Sequence, residues 1–147
     1  MRGRRVLVTG ASSGIGEAVS RLLAAQGYRV ALLARNRDRL DAVAADLPPH
    51  PDGKHLVLPC DLTRPEEIEA AVEVLRGAFG GLDLLVNNAG IGYRARVSEL
   101  DPEPLRRVFD TNVFALLLTC KACYPLLTRG ERPVVVNVSS VVGRRGI

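Results

Sequence analysis

Thr9-Gly10-Ala11-Ser12-Ser13-Gly14-Ile15-Gly16 is the stretch whose reading decides the fold. It follows the apolar run Val6-Leu7-Val8 and leads into a helical pattern with Ile15, Val19, Leu22 and Leu23 on one side. Strand, tight glycine turn and helix in that order make the frame of a dinucleotide site. The backbone must come close to a pyrophosphate there, and unpaired N–H groups at the helix start favour its charge. Gly10 makes the turn, Gly14 permits the approach, and Gly16 lets the helix pack on the strand. The spacing is G-x-x-x-G-x-G rather than G-x-G-x-x-G, and no Lys-Ser/Thr pair follows, which excludes a P-loop. Taken alone, the stretch also suits an ordinary strand-to-helix turn.

Composition narrows the setting. With 147 residues, 47% of them hydrophobic, the chain can bury one sizeable core, and 1–147 reads as one nucleotide-binding domain. Aromatics are 4%, so that core is aliphatic, which suits helices covering a parallel sheet. The net charge is +4, and 18 of the 20 basic residues are arginine. Such an excess suits small anions or solubility. The basic groups Arg2/Arg4/Arg5, Arg35/Arg37/Arg39 and Arg144/Arg145 lie apart from aromatics, which argues against nucleic-acid binding. Arg2 to Arg5 reads as a solvated lead-in to the first strand. Cys60, Cys120 and Cys123 lack zinc-site partners, so no metal is expected. Cys120 and Cys123 read as small buried hydrophobes. An odd cysteine count without a secretory signal points to a reducing compartment, the cytoplasm. No apolar stretch reaches membrane-spanning length.

In chain order, strands are expected at Arg4–Thr9, Tyr28–Ala34, His55–Cys60, Leu82–Val86 and Val134–Val138. Helices alternate with them. The first runs from Ile15 to Gln26 and closes at Gly27; the second covers about Asn36 to Ala45 with Leu40, Val43 and Leu47 inward. Thr63-Arg64-Pro65-Glu66 reads as a capping box opening the third, which carries Ile68, Ala71, Val72 and Leu75 on one face and ends near Gly80. Asp101 caps a fourth, with Leu105, Val108 and Phe109 inward, and an apolar helical run covers about 112–127. The order βαβαβαβαβ predicts an α/β, Rossmann-type doubly wound parallel sheet, ordered 3-2-1-4-5 by right-handed crossovers. Strand five is then exposed at a sheet edge, and helix 112–127 is apolar enough to imply a partner surface or a further covering element.

Ligands of such sheets bind at the carboxyl ends of the strands. Five groups fall there: Thr9–Gly16, Arg35, Asp61-Leu62, Asn87-Asn88-Ala89-Gly90 and Ser139-Ser140. Arg35 follows Ala34 at the tip of strand two, where an acidic residue would accept from a ribose 2′-OH and a guanidinium pairs instead with a 2′-phosphate. NADP(H) is therefore expected over NAD(H), with Arg37 as a weaker helper. Asp61 either accepts from the adenine amino group or holds its own turn. Asn87 and Asn88 either support the cofactor or fasten strand four to its neighbours. His50 and His55 fall at the opposite end of the sheet and read as turn or surface residues.

Assembled, these residues resemble the short-chain dehydrogenase/reductase family. The resemblance covers essentially the whole chain and rests on TGASSGIG at Thr9–Gly16, CDL at Cys60–Leu62, DLLVNNAG at Asp83–Gly90, DTNV at Asp110–Val113 and NVSS at Asn137–Ser140. It implies that Gly10, Ser12, Ser13, Gly14, Ile15 and Gly16 line the cofactor pyrophosphate. Arg35 resembles the arginine of NADP-preferring members. Asp61 and Leu62 would flank adenine, and Asn88, Ala89 and Gly90 would pass beside the adenosine ribose. Asn112 resembles the asparagine that holds a helix open around a water of a proton relay, and Ser140 the serine that hydrogen-bonds the substrate oxygen.

The implied activity is NADP(H)-dependent interconversion of a carbonyl and a secondary alcohol by hydride transfer. The catalytic Tyr-x-x-x-Lys of the family, expected near positions 153 and 157, is not among these 147 residues. Tyr28, Tyr93 and Tyr124 lack a lysine at that spacing. The acid that protonates the carbonyl oxygen is thus missing. The alternative is an inactive, truncated form that serves as a nucleotide-binding or interaction module. The family also implies a homo-oligomer through helix 112–127.

Overall fold

The computed structural model describes residues 3–140. Arg2 and the segment 141–147, with Arg144 and Arg145, lie outside the described residues. Five strands, β1 (Arg5–Thr9), β2 (Arg29–Ala34), β3 (Leu56–Pro59), β4 (Leu84–Asn87) and β5 (Val134–Asn137), form one sheet in the order β3-β2-β1-β4-β5. All four pairings are parallel. The helices are α1 (Gly14–Ala25), α2 (Arg37–Ala45), α3 (Pro65–Phe79), α4 (Pro102–Phe109) and α5 (Ala115–Leu127). This is the doubly wound architecture the βα alternation predicts.

Alternation along the strands splits the core in two. Val6, Val8, Val30 and Leu32 face α1 and α2, where Leu40, Val43 and Leu47 are buried as expected. Leu7, Ala31, Leu33 and Leu85 face α3 and α5, meeting Ile68, Val72, Leu75, Cys123 and Leu126. Burial on both faces explains the unbroken apolar runs of β1 and β2, whereas β5, at the sheet edge, is exposed along its length.

Several expectations are corrected. Ile15 and Leu22 are 63% and 58% exposed, and α1 instead lays Gly16, Ser20 and Ala24 on the sheet. These small residues recur every fourth position and let helix and strand approach closely: a Cβ on Gly16 would collide with the Gly10 carbonyl oxygen. No capping box forms at Thr63; Arg64 is the cap position, and Thr63 is turned back onto Asp61. On α4, Leu105 and Phe109 are exposed and Val108 is half-buried, so that face does not enter the core.

The run at 112–127 does not begin a new helix. A π-helical turn, Asp110–Phe114, joins α4 to α5 in one continuous rod. Nor is Arg5 solvated. Its guanidinium forks onto both oxygens of Asp83 at 2.9 Å and also donates to the Phe79 carbonyl at 3.0 Å. The backbone N–H groups of Arg5 and Glu131 complete the shell of that carboxylate. Nearby, the Val30 N–H donates to His55 Nδ1 at 3.0 Å, and His55 Nε2 lies 2.8 Å from the Pro48 carbonyl. The imidazole thus fastens a strand end.

Candidate active site and cofactor cleft

The opposite, carboxyl edge of the sheet opens into a cleft of about 800 Å³. Its floor comes from the β1 turn (Gly10, Ser12, Ser13) and the β4 end (Asn88, Ala89, Gly90). One flank comes from the tips of β2 and β3, with Arg35, Asp61 and Leu62, and the other from α4 with Arg107 and the π-turn residue Thr111.

The floor is built by glycines and one threonine. Gly10 has φ +65°, and a Cβ there would lie 2.9 Å from the Ala89 Cα; Gly14 has φ +57° and open space above it. Both need glycine for conformation, and Gly10 for space as well. The Ser13 side chain does not cap α1, so the helix start is left to other acceptors. Thr9, singled out in the sequence only as a motif member, ties the floor together. Its buried hydroxyl accepts from the N–H groups of Asn88 and Ala89, both at 3.0 Å.

Asn88 Nδ2 donates to the Thr9 carbonyl at 3.1 Å, and Asn87 Nδ2 donates to Asn137 Oδ1 at 2.9 Å. Both asparagines therefore fasten β4, one to β1 and the other to β5. Asp61 Oδ1 accepts from the Thr63 N–H (3.0 Å) and hydroxyl (2.7 Å). These two bonds, with Arg35 and Arg107 nearby, hold the Asp61 carboxyl below the ordinary carboxylate range. Its turn-holding role is thus visible directly.

The cations divide sharply. Arg35 and Asn36 line the cleft, and the Asn36 side chain caps α2 by accepting from the Arg39 N–H at 2.9 Å. Arg37 does not line it; its guanidinium lies 3.6 Å from Asp41 on the next turn. Arg39 and Arg107 do line it, and neither stood out in the sequence as a site residue. Periodicity along α2 and α4 could have placed them, since both sit on the cleft-facing turns. Among the described residues, the side chains of Arg35, Arg39 and Arg107 have no hydrogen bond or ion pair. Cys60 also borders the cleft, but burial pushes its thiol up to about 12, with Glu67 and Asp61 adding to the effect. It carries no thiolate at neutral pH.

Asn112 sits in the π-turn, half-buried. Its Oδ1 accepts from the Ile91 N–H and its Nδ2 donates to the Ile91 carbonyl, both at 2.9 Å. The amide thus behaves as one rung of a strand and clamps the loop after Gly90 to the rod. Ser140 follows β5 on the same carboxyl edge of the sheet and is exposed. Tyr93 lines the cleft, and its hydroxyl accepts from the Asp101 N–H at 2.9 Å. Gly14, Ile15 and Gly16 lie beyond the cleft lining, in the first turn of α1.

Residues 4–147 match the family model described as short chain dehydrogenase. The chain belongs to the short-chain dehydrogenase family. It is 37% identical over 139 residues to the 3-oxoacyl-[acyl-carrier-protein] reductase of Bos taurus, covering 95% of this chain and 57% of the relative. Against carbonyl reductase family member 4 of Danio rerio the identity is 39% over 144 residues, with 97% and 59% covered. An alcohol dehydrogenase of the archaeon Thermococcus sibiricus, solved in complex with 5-hydroxy-NADP, superposes with a TM-score of 0.90 at 34% identity. That match covers 98% of this chain and 61% of the archaeal one. This short-chain dehydrogenase chain thus spans about three fifths of the length of the relatives it matches. Among the described residues, no helix is long and apolar enough to cross a membrane, and no group of three or more His, Cys, Asp or Glu could hold a metal ion.

Proposed function

We propose that the cleft binds NADP(H), and that the protein interconverts a carbonyl and a secondary alcohol. The observation that carries the reading is the set of unpaired cations, Arg35, Arg39 and Arg107, around a glycine-built floor at the carboxyl edge of a doubly wound sheet. A dinucleotide with an additional phosphate supplies an acceptor for these guanidinium donors, two of which, Arg35 and Arg107, the nearby Asp61 carboxylate influences but does not bond. In this reading Gly10, Ser12, Ser13, Gly14, Ile15 and Gly16 hold the pyrophosphate. Asp61 and Leu62 flank adenine, Asn88, Ala89 and Gly90 border the ribose, and Arg35 takes the 2′-phosphate. Arg39 replaces Arg37 as the helper, because Arg37 is turned toward Asp41.

When bound, the nicotinamide would supply or accept the hydride. Ser140 would hydrogen-bond the substrate oxygen, and Asn112 would keep the rod and the Ile91 loop in register beside it. The fit of the Thermococcus sibiricus enzyme, whose complex contains 5-hydroxy-NADP, supports the cofactor class. The exposed Val113, Phe114, Leu117 and Tyr124 along the rod support a homo-oligomer through helix 112–127.

A second reading rests on a specific observation: the 147 residues contain no Tyr-x-x-x-Lys. Tyr93 already accepts a hydrogen bond from Asp101, and Tyr28 accepts one from Arg4. In this second reading these residues serve as a nucleotide-binding or interaction module, since neither engaged tyrosine is followed four positions later by a lysine. Titration with NADPH and NADH, followed by nicotinamide fluorescence, tests the cofactor reading. Saturable binding with a clear margin for NADPH, erased by Arg35→Ala, is expected. Equal affinities that Arg35→Ala leaves unchanged would overturn it. Turnover of a ketone by the 147-residue chain would remove the module reading.

A further inference from the structure

Directly behind the cleft wall lies a second, much smaller cavity of about 10 Å³, lined by Thr9, Leu62, Asn87, Ala89, Thr111, Leu116 and Thr119. Three of these residues, Leu62, Ala89 and Thr111, also line the cleft, so they form the partition between the two spaces. Four of the seven lining residues carry polar side chains, and three of these, Thr9, Asn87 and Thr119, are buried beside the aliphatic core. The size is about that of one water-sized sphere, the least that admits a single water molecule.

Hydrogen-bond accounting gives the cavity a chemistry. Asn87 is 4% exposed. Its Nδ2 is used twice, toward Asn137 Oδ1 at 2.9 Å and toward Cys120 Sγ at 3.2 Å. Its Oδ1 is, among the described residues, the single buried side-chain oxygen or nitrogen without a partner. Exchanging the two amide atoms would leave Nδ2 in the same position, so a polar atom is orphaned either way. A buried polar atom left without a partner is destabilising. Thr119 is 1% exposed, and its hydroxyl donates to the Ala115 carbonyl at 2.7 Å, which leaves its lone pairs available to accept. The Thr111 hydroxyl makes no hydrogen bond within the described residues and can donate. Thr9 is fully committed, donating to the Val86 carbonyl and accepting from Asn88 and Ala89.

We infer that this cavity is a binding site for one buried water molecule, which joins Asn87 Oδ1 to the hydroxyls of Thr119 and Thr111. The water donates one hydrogen to Asn87 Oδ1 and the other to Thr119 Oγ1, and accepts from Thr111. Three partners match the usual complement of a buried water. The consequence is mechanical. Thr111 belongs to the π-turn and Asn87 to β4, so the water ties the widened turn to the sheet at the level of Asn112. A π-turn has one residue too many for the regular helix ladder. The bridge gives it a fixed seat against the strand.

The test has two arms. A crystal structure of the protein at a resolution that shows ordered waters should place one within hydrogen-bond distance of Asn87 Oδ1 and Thr119 Oγ1. An empty cavity, or an Asn87 amide satisfied by protein atoms at both ends, would overturn the inference. In solution, ¹⁷O magnetic relaxation dispersion counts long-lived internal waters. Thr119→Val should lower that count by one while Thr119→Ser retains it, a readout that lost packing alone would not move. An unchanged count in folded Thr119→Val would also overturn the proposal. If that variant does not fold, Thr111→Val supplies the same comparison from the other side of the water.

Discussion

Arginines stand at both ends of the sheet, and the two ends use them in opposite ways. At the amino edge, Arg5 is locked onto Asp83 and the Phe79 carbonyl. Arg29 donates to the carbonyls of Lys54 and Ala78 while its guanidinium lies 4.6 Å from the Phe79 ring centre. At the carboxyl edge, Arg35, Arg39 and Arg107 line an open cleft, and their side chains make no hydrogen bond or ion pair among the described residues. A guanidinium with its donors used is a fastener; one with its donors free at a concave surface awaits an anion. Residue type alone does not distinguish them. The partner count does.

Breaking the amino edge should have the largest effect. Asp83→Ala leaves the Arg5 guanidinium and two backbone N–H groups without their acceptor, and should cost about 3–5 kcal/mol in urea unfolding, as for other broken buried pairs. The same carboxyl gives a pH signature. Burial alone would raise it, but the bonds from Arg5 and Glu131 outweigh that and hold it below the ordinary value of 3.8. Its stabilising contribution is therefore complete above the unfolded-chain value and fades as pH falls through the lower folded value. Folded Asp83→Asn should show a shallower acid-side loss of stability than the parent chain. An identical slope would remove Asp83 from the account.

The next effect sharpens the contrast at the cleft floor. Thr9→Val keeps the shape but leaves the N–H groups of Asn88 and Ala89 without an acceptor, and should cost about 1–3 kcal/mol in thermal or urea unfolding. Arg35→Ala should behave in the reverse manner, weakening NADPH binding about tenfold, or about 1.4 kcal/mol, with NADH unaffected. Its unfolding midpoint should stay within about 0.5 kcal/mol of the parent. Stability loss without affinity loss would place Arg35 with the fasteners. The smallest response should come from the buried thiols. Cys60 and Cys123 are both pushed up to about 12, chiefly by burial, so neither should react with an alkylating reagent at pH 8 until the chain unfolds.

Much of this was legible in the residues. Gly10 is read as the turn glycine and has positive φ, Pro65 and Asp101 mark helix starts, and the five loop groups converge because parallel strands share one carboxyl edge. The misreadings share a cause. Ile15 and Leu22 are large and helically spaced, yet closeness to β1 selects Gly16, Ser20 and Ala24 for the inner face. Thr63 has the pattern of a capping residue, but Asp61 two positions earlier captures its hydroxyl. Leu105 and Phe109 have core chemistry and no core to enter within the described residues. Periodicity reports what a side chain prefers, whereas packing distance decides which residue can be accommodated.

By itself, the sequence determined the strand and helix alternation, the parallel order 3-2-1-4-5 and the sheet edge at which the loop groups converge. Each follows from local rules of turn geometry, apolar patterning and crossover handedness. Only the tertiary structure decided which arginines are spent and which are free, that Arg39 rather than Arg37 faces the cleft, and that Thr9 holds its floor. It also showed that Asn112 clamps Ile91 from a π-turn. These depend on pairings between residues far apart in the chain, such as Thr9 with Asn88 or Arg5 with Asp83, and hydrogen-bond satisfaction at that range is set only once the sheet has brought them together.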